Sequence, residues 1–162
     1  MSATIERQVV DAGDDAYVDD AWALKEAIRR KEGILRQRRG FFRDAYRRST
    51  VYLFLESGPV DTERLVGFAA VRRDGYILFL AVAEGFRGEG FGERLVARVA
   101  EDHSSVTCHA RSTNEPAIGF YRHLGFEIKR RIDNYYEDGG DAYYLKLGDE
   151  GGITERLQRL LG

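Results

Sequence analysis

One cysteine, Cys108, stands in a chain of 162 residues. That excludes an internal disulfide framework and any zinc site built on cysteines, and it suits a reducing, cytoplasmic compartment. The three histidines, His103, His109 and His123, lack metal-ligand spacing, so no metal centre is expected. No apolar run approaches the roughly 20 residues of a membrane span. Met1–Val10 has no basic stretch followed by a hydrophobic one, so no secretory leader is expected. Excess charge is also missing: 25 Lys+Arg against 27 Asp+Glu leaves −2, which implies no global attraction to nucleic acid. No repeat or low-complexity segment interrupts the chain.

What is present describes one soluble domain with a proper core, since 43% of residues are hydrophobic and 32% charged. Charge is uneven, however. Between Lys25 and Arg48 lie ten basic residues, among them Arg29, Arg30, Lys31, Arg36, Arg38, Arg39, Arg43 and Arg47, against Glu26, Glu32 and Asp44. This is either a solvated helical face or a docking surface for an acidic partner such as a ribosome, an acidic peptide or RNA.

"TIERQVV" reads as a first strand, with Ile5 and Val9 on one side. Tyr17, Ala21, Leu24 and Ile28 recur at helical spacing, with Asp14 or Asp15 as N-cap and Gly33 as the stop. A shorter helix follows over Arg36 to Arg48, weakened by Gly40. "TVYLFLE" is a strand, and "RLVGFAAVRR", "DG" and "YILFLAV" make a hairpin. Phe91, Leu95, Val96 and Val99 mark a helix, "SVTCHA" a strand, and Asn114 to Leu124 a helix capped by Asn114 with Pro116 in its first turn. "FEIKRRI" and "DAYYLKL" are the last strands, and "ITERLQRLL" a short tail helix. The order β-α-α-β-β-β-α-β-α-β-β predicts a single α/β (α+β) domain, a mixed, mostly antiparallel sheet flanked by helices.

"FRGEGFGERLV" places Gly88, Gly90 and Gly92 between a strand and a helix start. Unpaired backbone N–H groups there suit an anion, and glycines let a bulky pyrophosphate approach. A tight turn needing positive φ would explain the glycines equally. The P-loop pattern fails because Glu93 and Arg94 follow the last glycine, and the Gly-x-Gly-x-x-Gly dinucleotide pattern fails at Glu93 and Leu95.

Arg87-Gly88-Glu89-Gly90-Phe91-Gly92 resembles the Arg/Gln-x-x-Gly-x-Gly/Ala signature by which the GNAT superfamily of N-acetyltransferases grips the pyrophosphate of acetyl-CoA. The resemblance continues in "NEPAIGFYRHLGFE", where Asn114, Ala117, Tyr121, Gly125 and Phe126 fall at family positions. It implies a GNAT domain over residues 1–148, with 149–162 as a tail, and acetyl-CoA as donor. It also implies that Leu80, Ala81 and Val82 form the strand that pairs with the pantetheine arm. Asn114 and Tyr121 join the cofactor site, with Tyr121 as the acid that protonates the leaving sulfur. "NYYEDGGDAYYLKL" is similar to the closing strand pair of ribosomal-protein alanine acetyltransferases and archaeal N-terminal acetyltransferases. That similarity implies a peptide or protein N-terminus as acceptor, bound by Tyr135 and Tyr136; an interfacial aromatic pair is the alternative. The segment "GILRQRRGFFRDAYRR" departs from that subfamily, lacking its Pro-Trp element.

His109 stands where the subfamily usually has a glutamate, five positions before the asparagine. It is a candidate base, with ordered water as competitor. Core packing alone would account for Tyr121, and capping alone for Asn114. Cys108, alternating with apolar neighbours, is expected to be buried and inert. Two other activities stay open: acetylation of a small amine or internal lysine, and a non-catalytic acyl-CoA-binding module that docks on RNA or the ribosome.

Overall fold

The computed structural model describes residues 4–60 and 62–148. Their order is β1 (Thr4–Val10), α1 (Val18–Glu32), α2 (Arg39–Arg48), β2 (Thr50–Ser57), β3 (Glu63–Val71), β4 (Ile77–Val82), α3 (Phe91–Asp102), β5 (Val106–Arg111), α4 (Glu115–His123), β6 (Glu127–Ile132) and β7 (Ala142–Leu147). This is the element order that the apolar periodicities predict. The tail helix expected near Ile153 lies outside the described residues.

The strands form two antiparallel sheets, ordered β1-β2-β3-β4 and β5-β7-β6. The expected mixed sheet is therefore two sheets in contact along β4 and β5. Their one described parallel link is an isolated bridge between Tyr76 and Thr107, where the Thr107 N–H donates to the Gly75 carbonyl at 3.0 Å. Gly75 is required there: its φ is +86°, and a Cβ would stand 2.2 Å from the Ser105 carbonyl oxygen.

The first sheet is covered on both faces. On one side, α1 and α2 pack Ala21, Ile28, Phe42 and Tyr46 against Val51, Leu53, Phe68 and Phe79. Phe42 is the centre of that core, with ring centroids of Phe79 at 4.8 Å and Trp22 at 5.5 Å. On the other side, α3 inserts Leu95, Val96 and Val99 between the sheets, against Val66, Cys108 and Leu145. Each such fully buried aliphatic contributes about 1.5–3 kcal/mol. β1 is an edge strand that buries only Val10 and leaves Ile5 and Val9 exposed.

Three local expectations are corrected. The N-cap of α1 is Tyr17 in the left-handed region, not Asp14 or Asp15, and it makes no side-chain capping bond; Asp14 instead accepts from the Ala16 N–H at 2.9 Å. α2 begins at Arg39, three residues late, so Gly40 falls in its first turn, where helical propensity matters little. The buried stripe of α1 is Val18, Ala21, Lys25 and Ile28, with Lys25 wholly inside. Lys25 is thus no part of a basic surface. Much of the rest of that basic stretch is already paired: Lys31 with Glu84, Arg36 with Asp138, and Arg39 and Arg43 with Asp19. Of the stretch, Arg30, Arg38, Arg47 and Arg48 have no carboxylate partner among the described residues.

Candidate active site

β4 carries one residue more than its partner. Ala70 pairs with Phe79 and Val71 with Ile77, so Leu78 is an unpaired bulge. A bulge bends and twists its strand. It lies two residues beyond the Tyr76–Thr107 bridge, the last point at which β4 and β5 pair. From there to Val82 and Arg111 no pairing between the two strands is present among the described residues, and a groove of about 800 Å³ lies along them. Leu80, Ala81, Val82, Arg87, Asn114, Tyr121, His109, Tyr135 and Tyr136 all line it. The topology thus brings together nine residues singled out from sequence. Gly88, Glu89, Gly90, Phe91 and Gly92 stand beyond its lining, at the Arg87 end.

The three glycines answer to different constraints. Gly88 and Gly90 have φ of +80° and +85°, with open space where a side chain would be. Gly90 is the left-handed N-cap of α3. Gly92 is a packing glycine, since a Cβ would press on the Phe120 ring at 3.2 Å. The first helical bond of α3 runs from the Arg94 N–H to the Gly90 carbonyl. Among the described residues, the amides of Gly88 through Glu93 reach no backbone carbonyl. These amides, with open space at Gly88 and Gly90 and at the positive end of a helix dipole, fit a phosphate group. The Phe91 side chain is itself core, 5.4 Å from Phe54 and 6.0 Å from Phe86, so only its amide is available. Arg87 donates Nη2 to Glu32 at 2.7 Å and Nε to the Val82 carbonyl at 3.3 Å, which holds its guanidinium at the groove end.

Tyr121 is buried in the same core cluster as Cys108, and burial pushes its pKa well above the ordinary phenol value. It is therefore a protonated phenol at neutral pH, able to donate. Burial likewise pushes the Cys108 thiol up to about 12, which makes it a poor nucleophile. The side-chain oxygen of Asn114 accepts from the Ala117 N–H at 3.3 Å, so capping uses that oxygen and leaves the amide nitrogen.

His109 sits at the centre of an aromatic cluster. The Tyr76 hydroxyl is 2.6 Å from its Nδ1 and the Tyr135 hydroxyl 3.5 Å. Tyr135 stacks on the imidazole at 4.5 Å and 15°, and Tyr144 packs at 5.1 Å. Burial first, then the charges of Arg130 and Arg72, hold its pKa below the usual histidine value. Burial raises Tyr76 in turn, so the phenol keeps its proton, and with the ring proton of His109 on Nε2 it donates to Nδ1. Sequence reasoning missed Tyr76; the usable signal was alternation along "YILFLAV", which puts Tyr76 on the same side as Leu78.

The two loops beside the groove are tied together. Asp138, in the β6–β7 connection, takes Arg111 at 3.0 Å and Arg36, from the α1–α2 connection, at 3.2 Å. Arg111 also lies 4.1 Å over the ring of Tyr136, whose phenol burial pushes up to about 12.

A family model described as an acetyltransferase (GNAT) domain matches residues 47–128. N-alpha-acetyltransferase 30 of Xenopus laevis is 40% identical over 80 residues, 46% of this chain and 29% of that protein. The chain therefore spans less than a third of that relative's length. The crystal structure of Arabidopsis thaliana NAA60 in complex with acetyl-CoA aligns with a TM-score of 0.68 at 22% identity, covering 90% of this chain and 99% of that one. The ribosomal-protein-S18-alanine N-acetyltransferase of Escherichia coli aligns at 0.67 and 19%, covering 93% and 97%. No helix among the described residues is long and apolar enough to cross a membrane.

Proposed function

Because the chain belongs to the GNAT acetyltransferase family, we propose that it transfers acetyl from acetyl-CoA to the α-amine of a peptide or protein N-terminus, in the groove between β4 and β5. The observation that carries this is the hydrogen bond between Tyr76 and His109, which couples an imidazole and a phenol on the lining of the groove that Arg87 also lines; the glycine turn beside Arg87 would take the diphosphate. Two N-alpha-acetyltransferase relatives, from Xenopus laevis and Arabidopsis thaliana, support the α-amine.

Acetyl-CoA would supply the acetyl group as a thioester whose sulfur leaves as a thiolate. The amides of Gly88, Glu89, Gly90, Phe91 and Gly92, with Arg87, would hold its diphosphate. The free edge of Leu80, Ala81 and Val82 and the amide of Asn114 would hold its pantetheine arm. Tyr135 and Tyr136 line the acceptor side. Roughly one α-amine in ten is uncharged at pH 7, against about one lysine in a few thousand, so a weak base suffices. Tyr76 accepts the amine proton on its oxygen and passes its own to Nδ1 of His109. Tyr121 gives its proton to the departing sulfur. The cycle closes when the proton on His109 is exchanged with water and Tyr121 regains one.

The basic stretch enters the proposal only through Arg30, Arg38, Arg47 and Arg48, as the surface that would meet an acidic partner such as the ribosome. A non-catalytic binding module would keep acetyl-CoA affinity without turnover.

Titration calorimetry with acetyl-CoA, alongside CoA release on an N-terminal peptide, tests the reading. Wild type should bind and turn over, Arg87→Ala with Gly90→Glu should lose binding, and Tyr121→Phe should bind but lose about 10²-fold in turnover. Unchanged binding in the double variant, or unchanged turnover in Tyr121→Phe, refutes the corresponding assignment.

A further inference from the structure

Beside the cluster around His109 lies a second cavity of about 370 Å³ that the chemistry above leaves unused. It shares Tyr76, Leu78, His109 and Tyr135 with the groove, and Arg72, Asp74, Arg130 and Tyr144 stand around it. Asp74 is fully engaged: one oxygen takes Arg72 Nη2 at 2.8 Å, and the other takes Arg72 Nε at 3.3 Å and the Tyr76 N–H at 3.2 Å. Arg72 is locked by that pair and by stacking at 4.4 Å over Tyr76. Arg130 is different. Its guanidinium lies 5.3 Å over the Tyr144 ring, and no carboxylate among the described residues is within bonding distance.

An arginine held over an aromatic face with no carboxylate on its guanidinium keeps N–H donors available. Two arginines against one aspartate leave a single unbalanced positive charge beside the neutral His109. That matches a monoanion and disfavours a phosphate dianion, which Asp74 would repel. A planar carboxylate suits such a guanidinium, which can grip it with two parallel hydrogen bonds.

We infer that this cavity binds a carboxylate of the acceptor, with Arg130 as the residue that sets the preference. The inference rests on the α-amine reading of the groove. The carboxylate belongs either to an Asp or Glu side chain within the first few residues of a peptide or to the α-carboxylate of a free amino acid. His109 itself lines the cavity together with Arg72 and Arg130, so a bound carboxylate would lie against the candidate base.

The test uses the full chain, acetyl-CoA and CoA release. Acceptors are peptides with a free α-amine that differ only as Asp, Asn or Lys at each of the first three positions, together with free aspartate, glutamate and glycine. In wild type, kcat/KM for the better Asp peptide should exceed its Asn twin by about tenfold, a typical return for one charge-assisted pair. The ratio should fall to near one in Arg130→Gln and invert in favour of Lys-bearing peptides in Arg130→Glu. Arg130 is exposed, so these variants should fold. Free amino acids preferred over all peptides, with the preference lost in Arg130→Gln, identify the α-carboxylate as the ligand. Peptides turned over without discrimination, or a ratio that survives Arg130→Gln, overturn the carboxylate cavity alone. No turnover on any α-amine overturns the acceptor reading, and this inference with it.

Discussion

The phenol oxygen of Tyr76 lies 2.6 Å from Nδ1 of His109 although 33 residues separate them. Two strands that share a single bridge bring them together, and the Leu78 bulge keeps the groove open just beyond. Tyr76→Phe and His109→Ala should each lower kcat by about 10²-fold. The double variant should be no worse than the poorer single one, because both changes cut the same proton path. Steady-state kinetics on one peptide checks this, and additive losses would contradict a shared path.

A histidine whose pKa is lowered is neutral, and able to accept a proton, down to a pH below its ordinary value of about 6.5. Burial chiefly, then Arg130 and Arg72, lower His109. The acid limb of kcat/KM should therefore lie below pH 6.5, with activity present above it and lost as pH falls through it. Arg130→Gln removes one opposing charge and should move the limb upward. A limb at or above 6.5 in wild type would contradict the assignment of His109 as base.

Gly75 and Gly88 both have positive φ, yet they should tolerate alanine very differently. At Gly88 the space is open, and Gly88→Ala should cost about 1 kcal/mol in backbone strain. At Gly75 a Cβ would collide with the Ser105 carbonyl at 2.2 Å, so Gly75→Ala should cost more than about 2 kcal/mol. It should also weaken the Tyr76–Thr107 link and hence turnover. Urea unfolding of the two variants decides, and equal losses would contradict the packing account.

Much of this was legible in the chain because periodicity and turn chemistry are local. Phe91, Leu95, Val96 and Val99 announced α3, and all four are buried. Asn114 and Pro116 announced α4, and Asn114 caps it. Gly33 stopped α1 in the left-handed region with its N–H on the Arg29 carbonyl. What escaped depends on tertiary contact. Lys25 occupies a core position because the Gln37 carbonyl and the Trp22 face receive its ammonium, and no pattern in α1 shows that. The Leu78 bulge depends on the register of β3 against β4, and the closeness of Arg130 to His109 depends on β6 and β5 both pairing with β7 at Tyr144.

Lys25 donates to the Gln37 carbonyl and lies 4.7 Å from the Trp22 ring, and burial lowers its pKa. It ties α1 to the connection that lines the groove. Lys25→Ala should cost about 2–4 kcal/mol through lost packing and a stranded carbonyl. Lys25→Met fills the space at a smaller cost, about 1.5 kcal/mol or less, but leaves the connection untied. It should raise KM for the peptide several-fold while leaving acetyl-CoA affinity as it was. Thermal unfolding with kinetics on both substrates checks this, and an unchanged peptide KM in Lys25→Met would contradict the tether.

The most direct measurement uses one peptide that carries a free α-amine and an internal lysine, incubated with the full chain and acetyl-CoA, with the acetylated position located by tandem mass spectrometry. Acetyl should appear on the α-amine, with one CoA released per acetyl transferred, and the product should be lost in His109→Ala. Acetyl confined to the lysine, or CoA binding with no acetylated product, would contradict transfer to the α-amine.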